Sequence, residues 1–170
     1  MNPGLTLGQG GQKGTGESYI SQYKSSDTES FAVCDMTSAY WCGSVVRGMK
    51  LLKDTKTVII QDEIKCTSGT DMYWFAHTNG EIEISEDGKS AVITDSGEKL
   101  VAYILGEGVF TVMEAKSTSW SPAVEGQAEN VNFKRLTVNV KDKTEYTIAI
   151  AFAPEGVTPP SSVVPLADWK

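Results

Sequence analysis

The sequence predicts an all-β protein, an antiparallel β-sandwich of about ten strands in a single domain. Apolar and polar residues alternate with period two in short segments, the pattern of strands with one buried face. Turn residues separate these segments at the spacing typical of antiparallel sandwiches. No window carries a capped apolar stripe of helical spacing. The 170 residues, 40% of them hydrophobic and 22% charged, are enough for a core of their own.

The N-terminal segment, residues 1–16, is rich in glycine around one apolar triplet at 5–7. We interpret it as an edge segment followed by a flexible loop. A phosphate-binding loop is not expected, because Lys13 is followed by Gly14 and no helix follows to present its N-terminus.

Residues 17–154 form the predicted sandwich core. Alternation is clearest at 136–140 and 146–152, and the polar residues 141–144 between them predict a β-hairpin. Two more turns are predicted around Gly88 and Gly97, since glycine accepts a positive φ at little cost. The predicted strands are 31–35, 44–52, 57–64, 72–77, 80–85, 90–94, 99–105, 109–114, 133–140 and 145–153.

Two stretches lack this alternation of apolar and polar residues. Residues 117–132 form a polar loop that carries Trp120, and a loop of this length in a compact domain is usually functional or mobile. Residues 155–170 form a proline-rich tail that cannot continue a sheet interior and is expected to run extended over the surface. Leu166 and Trp169 are expected to hold this tail, since a fully buried side chain contributes about 1.5–3 kcal/mol.

The charge balance limits the classes of partner. Fifteen Lys and Arg against 22 Asp and Glu give a net charge of −7 without a basic cluster, which argues against nucleic acid. No apolar run approaches the length of a membrane span. The first five residues lack the features of a secretory signal, so the chain is either cytosolic or a mature or shortened piece.

Cysteine and histidine are too few for most metal chemistry. Cys34, Cys42 and Cys66 do not have redox or zinc-ribbon spacing, and we interpret them as structural or incidental. A disulfide between two of them requires Cα atoms within about 7 Å, which the sequence does not decide. The single His excludes a His-rich metal site, so neither a metal nor a cofactor is predicted.

Three polar residues near predicted strand ends are candidates for catalytic or ion-pair sites. His77 lies at a predicted strand end beside a turn, where it is either a general base or, as we favour, a structural residue bonded to a loop. Asp62 and Glu63 point to opposite faces of one strand and cannot act as a glycosidase pair. Asp62 lies on the same face of its strand as neighbours that are expected to be buried. It therefore needs a partner, and Arg47 on the adjacent strand is the expected one.

Aromatic residues offer a platform for a sugar ring, whose apolar face stacks on aromatic side chains. Trp120, in its polar loop, is the best candidate for exposure, although core packing or loop anchoring is favoured for each of these residues. The aromatic candidates are Tyr40, Trp41, Trp74 and Trp120.

Several stretches together carry a resemblance to a known family: 47–52, 57–64, 74–78, Ile82, Ile84, 87–89, 100–105 and 146–152 with Pro154. The start of the chain adds Asn2, 5–8 and Gln12. These stretches resemble the C-terminal β-sandwich of the heparinase II/III-like polysaccharide lyases, and the start looks like the family segment in which a His-Asn pair precedes a short strand and a Gly-Gln turn.

The resemblance implies a sandwich without its catalytic half. Family members place an α/α toroid, which carries catalytic Tyr and His residues, before the sandwich. The family's His before the Asn falls where this chain has Met1, so no catalytic residue is carried over, and His77 matches an architectural Trp-x-x-His-Thr strand. The expected role is to support the missing toroid and wall a cleft for an acidic polysaccharide. The implied location is the periplasm or the medium.

Two other hypotheses stay open. A stand-alone carbohydrate-binding module would use exposed aromatics and needs no catalytic set. A small enzyme would be centred on His77. The candidates for glycan contact are Trp120, His77 and Arg47.

Overall fold

A computed structural model describes residues 6–7, 12–116 and 125–170. This part of the chain contains ten strands and two short 3₁₀ helices, Thr37–Ala39 and Leu166–Asp168, which confirms the predicted all-β class. The strands are β1 Thr6–Leu7, β2 Tyr19–Ser25, β3 Glu29–Asp35, β4 Ser44–Leu52, β5 Thr57–Thr78, β6 Glu81–Ile84, β7 Ser90–Asp95, β8 Glu98–Ile104, β9 Phe110–Glu114 and β10 Lys134–Pro154.

The strands form one sheet that folds back on itself into two layers. Its order is β2-β3-β4-β5-β10-β8-β7-β6, with β1 added to β5 and β9 added to β10. The first half of β5 pairs with β4 and with the second half of β10, whereas its second half pairs with the first half of β10. The main core lies between the two halves, where Ile64 and Ile148 of one layer meet Trp74 and Val138 of the other.

The predicted hairpin at 141–144 is wrong. Residues on both sides of it belong to one strand, β10, which stays paired with β5 through register shifts between Val140 and Glu145. For the same reason the predicted strands 57–64 and 72–77 are the two halves of β5. The polar residues at 141–144, and those between the two halves of β5, lie where each strand bends from one layer to the other. Such a bend is as rich in polar residues as a turn, so composition does not distinguish the two.

Two strands lie outside the prediction. β2 is an edge strand whose residues are nearly all exposed, so it lacks the alternation that predicts a half-buried strand. β1 pairs with β5 in parallel, in a sheet that is otherwise antiparallel.

The turns around Gly88 and Gly97 are confirmed. The two glycines have φ values of 68° and 86°, in the left-handed region that an L side chain rarely adopts. In the first turn the Lys89 amide donates to Asp87 Oδ1 at 2.9 Å, and the Ser85 hydroxyl donates to the same oxygen at 2.7 Å. These bonds hold the pKa of the Asp87 carboxyl below its ordinary value, since they favour the charged form.

The C-terminal tail folds back over the outer face of β3 and β4, as expected. Leu166 and Trp169 are buried against Phe31 and Val33. The Leu166 amide donates to Glu63 Oε1 at 2.7 Å, which fixes the 3₁₀ turn on β5. The division into segments 1–16, 17–154 and 155–170 stays a prediction.

Candidate functional site

The loop 36–43 joins β3 to β4 and packs against the main core through Met36, Tyr40 and Cys42. A disulfide joins Cys42 to Cys66 on β5, with Cα atoms 4.4 Å apart. Cys34 on β3 is a free, half-buried thiol. Asp35 is the last residue of β3, and hydrogen bonds from Thr37 in the loop to its carboxylate hold the pKa of Asp35 below its ordinary value. The disulfide and these bonds fix the loop at both ends.

A cavity of about 180 Å³ lies between this loop and β4 and β5. Four aromatic residues contribute to its wall: Tyr40, Tyr73, Trp74 and Phe75. The polar part of the wall is the pair Arg47 and Asp62. The cavity therefore combines aromatic surface with one ion pair.

Arg47 and Asp62 form the ion pair that the sequence predicts. The guanidinium Nε and Nη2 donate to the two carboxylate oxygens at 2.6 and 2.7 Å. The Arg47 side chain is 39% exposed, whereas that of Asp62 is only 4% exposed. The hydrogen bonds to Asp62 raise the pKa of Arg47 above its ordinary value. Asp62 thus has its charge balanced at the edge of the core.

A second aromatic surface runs along the outer face of β5, and we call it the ladder. Its members are Tyr73, Phe75 and His77, which alternate with the buried residues of the same strand. The rings of Tyr73 and Phe75 are stacked with centroids 5.9 Å apart, and the ring of His77 is 6.3 Å from that of Phe75. The guanidinium of Arg135 on β10 lies 4.9 Å from the Phe75 centroid. The ladder combines aromatic and cationic groups on one sheet face.

The structure separates the predicted site residues. His77 lies at the end of β5, the strand-end position that the sequence predicts; it is exposed there and belongs to the ladder. Arg47 lies at the cavity, and Trp120 lies outside the described residues. Tyr73, Phe75 and Arg135 were missed, although the aromatic spacing of two residues at 73, 75 and 77 was a visible signal.

The other aromatic candidates have different environments. Trp74 is 4% exposed and belongs to the core, so it cannot form a platform. Trp41 is 52% exposed, with the Lys13 ammonium 5.5 Å from its ring. Tyr40 is half-buried, and its hydroxyl accepts a hydrogen bond of 2.7 Å from Gln12.

A larger cleft of about 680 Å³ lies between the end of β9 and the start of β10. Its lining mixes polar residues with apolar ones, of which Val131 and Phe133 are exposed. Among the described residues, no three His, Cys, Asp or Glu side chains are placed to hold a metal ion. That same part of the chain contains no helix long and apolar enough to cross a bilayer.

No protein-family profile matches the sequence, and no curated protein matches it either. Solved structures do match the fold. Heparan sulfate lyase HepC from Pedobacter heparinus superposes with a TM-score of 0.59 at 10% identity, over 81% of this chain and 22% of the lyase chain. Heparinase III, the BT4657 gene product, superposes with a TM-score of 0.55 at 16% identity, over 80% of this chain and 21% of that chain.

The chain therefore spans about a fifth of the length of these lyases. At this level of identity the likeness concerns the fold. The protein has a heparinase-like β-sandwich.

Proposed function

We propose that this sandwich is the non-catalytic C-terminal unit of a heparinase II/III-like polysaccharide lyase, where it supports a catalytic toroid and walls a glycan cleft. The observation that carries the proposal is the fold match to about a fifth of two lyase chains. The ladder adds a surface of suitable chemistry, because aromatic faces stack on sugar rings and Arg135 attracts carboxylate or sulfate groups.

The sandwich is proposed to be inactive alone. β-Elimination from a uronic acid needs a base for the C5 proton, an acid for the leaving oxygen and neutralisation of the carboxylate. The only imidazole of the chain, His77, lies beside an aromatic ring on an exposed sheet face. One such group does not supply the three functions.

We further propose that the protein works in the periplasm or outside the cell. The disulfide between Cys42 and Cys66 supports this location, because disulfides persist in oxidising compartments.

A stand-alone carbohydrate-binding module is the second candidate, and the ladder is the observation that favours it. Stacked aromatics beside a cation could hold a glycan without any catalytic domain. The two candidates differ in how strongly the chain binds by itself, since one wall of a cleft makes only part of the contacts of a complete site.

Calorimetric titration of the full chain with heparan sulfate, at low and high salt, separates them. The lyase-unit proposal expects no binding tighter than a Kd of about 1 mM. The module expects a Kd of about 10 µM or tighter, weakened by salt and by R135A. W120A tests in the same titration whether the loop 117–132 takes part. Tight binding that R135A removes would overturn the lyase-unit proposal.

A further inference from the structure

We propose that the cavity beside Arg47 and Asp62 is a binding site for one uncharged sugar ring, which the ion pair holds through adjacent hydroxyl groups. The site lies under the loop 36–43, and neither His77 nor Arg135 lines it. The inference goes beyond the proposed function and does not depend on a cleft or a toroid.

The ion pair has hydrogen-bonding capacity left over. A guanidinium has five N–H donors and a carboxylate about four acceptor positions. The two bonds between Arg47 and Asp62 leave three donors and about two acceptor positions. A sugar hydroxyl donates and accepts at once, so two adjacent hydroxyls match a surface that offers both kinds of group side by side. Water-excluding walls increase the value of such bonds.

The rest of the wall suits the C–H face of a ring. Tyr40, which is half-buried, gives the cavity an aromatic face over which the apolar side of a pyranose can lie, and the buried Trp74 contributes to the wall behind it. Tyr40 is held in place, because Gln12 bonds its hydroxyl and the disulfide of Cys42 anchors the loop two residues later. A site that is organised before the ligand arrives loses less entropy on binding.

Size and charge narrow the class of ligand. The volume of about 180 Å³ is below the 300–1,000 Å³ of sites for drug-sized molecules, so it suits one ring or a chain end. Asp62 already balances the charge of Arg47, and its carboxylate would repel a uronate placed beside it. An uncharged hexose is therefore favoured over a uronic acid.

The test is an NMR titration of the full chain with D-glucose, D-galactose and D-mannose, with D-glucuronate as the charged comparator. At least one neutral hexose should bind saturably with a Kd of about 1–10 mM, as expected for a ligand of this size. The shifts should centre on the amides of Val45 and Arg47 and on the Trp74 indole. Glucuronate should bind at least about tenfold more weakly.

Two adjacent substitutions give a matched pair. Y40A removes a wall of the cavity and should weaken hexose binding about tenfold or more. W41A removes a more exposed ring that does not line the cavity, and it should change the Kd by less than about twofold. R47K keeps the charge but loses the fork that binds both carboxylate oxygens, so it should abolish binding if a thermal melt shows that it folds.

Several results would overturn the site: no saturable shift up to about 100 mM hexose, glucuronate binding as tightly as the hexoses, or equal losses in Y40A and W41A. The titration with Y40A and W41A decides the question even if R47K unfolds. A negative result here leaves the heparan sulfate titration and its interpretation unchanged, because that experiment depends on Arg135.

Discussion

At the scale of single residues, Gly48 is a position where a side chain has little room. A Cβ atom there would lie 2.3 Å from Leu166 Cδ2 and 2.8 Å from the ring of Trp169. G48A should therefore displace the tail and lower the free energy of unfolding by about 1–3 kcal/mol. Denaturant unfolding measures the change.

G14A is the matched control, because a Cβ atom at Gly14 meets nothing within 4 Å. Equal stabilities of G48A and G14A would show that the tail does not pack on β4 as described.

Asp87 gives a prediction at acidic pH. Its carboxylate accepts bonds from Lys89 and Ser85, so its pKa is lowered in the folded protein. The unfolded chain therefore binds more protons in this range, and the stabilisation from Asp87 is present above the ordinary value of 3.8 and lost as the pH falls below it. D87N should lose less stability than wild type between about pH 4 and pH 2, as thermal melts can show. Parallel pH curves for the two proteins would contradict the account.

Reasoning from the sequence reached some of these residues and missed others. The pair Arg47 and Asp62 was predictable. The alternation along the strand placed the Asp62 carboxylate on the buried face, and the neighbouring strand carries one arginine that can pair with it. The ladder was missed because Arg135 meets Phe75 only through the register of β10 on β5. The pairing of Cys42 with Cys66 depends on where the loop 36–43 folds, which no local pattern states.

At the scale of elements, the Tyr146 hydroxyl links the bends of β5 and β10. Tyr146 Oη bonds the carbonyl oxygen of Thr70 on β5 and accepts from the Lys143 amide on β10 at 3.0 Å. The Tyr146 side chain is buried in the core, and burial raises the pKa of its phenol above the ordinary 10.0. The long strands therefore change layer at a defined point.

Y146F should lower the free energy of unfolding by about 1–3 kcal/mol, since it removes a buried hydroxyl together with its hydrogen bonds to Thr70 and Lys143. The raised pKa also means that wild type keeps this stability below pH 10 and loses it as the pH rises further, a loss that Y146F should not share. Chemical denaturation at pH 8 and above pH 10 measures both effects. Y23F, at an exposed position, is the control and should leave stability unchanged.

The disulfide is the covalent tie between the loop 36–43 and β5. It closes a loop with a sequence separation of 24 residues, so its removal should cost about 3.5 kcal/mol through the entropy of the unfolded chain. The variant C42S/C66S should show this loss in denaturant, whereas C34S should not. A double variant as stable as wild type would contradict a structural role for the bond.

The element boundaries show the limit of sequence patterns. The described residues contain ten strands, as many as predicted, and β3, β4 and β6 to β9 lie within two residues of the predicted bounds. Two pairs of predicted strands merge into β5 and β10, while β1 and β2 were not among the predicted strands. The residues 141–144 have the polar composition of a turn, and only the pairing of 143 with Thr70 reveals that the strand continues.

At the scale of the whole molecule, period-two alternation was enough to predict the fold class, because each strand buries one face in a common core. The match to solved lyases extends that result to a particular arrangement of strands. The fold does not determine the function in the way that the pattern determines the fold class, because a functional site depends on particular side chains. We propose that the side chains of the ladder and of the cavity play this part here.

The most direct test of the proposed role is a lyase assay on the full chain. Incubation with heparan sulfate, at a protein concentration far above that of an ordinary assay, is followed by the ultraviolet absorbance of the unsaturated uronate that β-elimination creates. A sandwich unit without catalytic machinery predicts no rise above the protein-free control. A steady rise that H77A abolishes would contradict the account and place the chemistry on this chain.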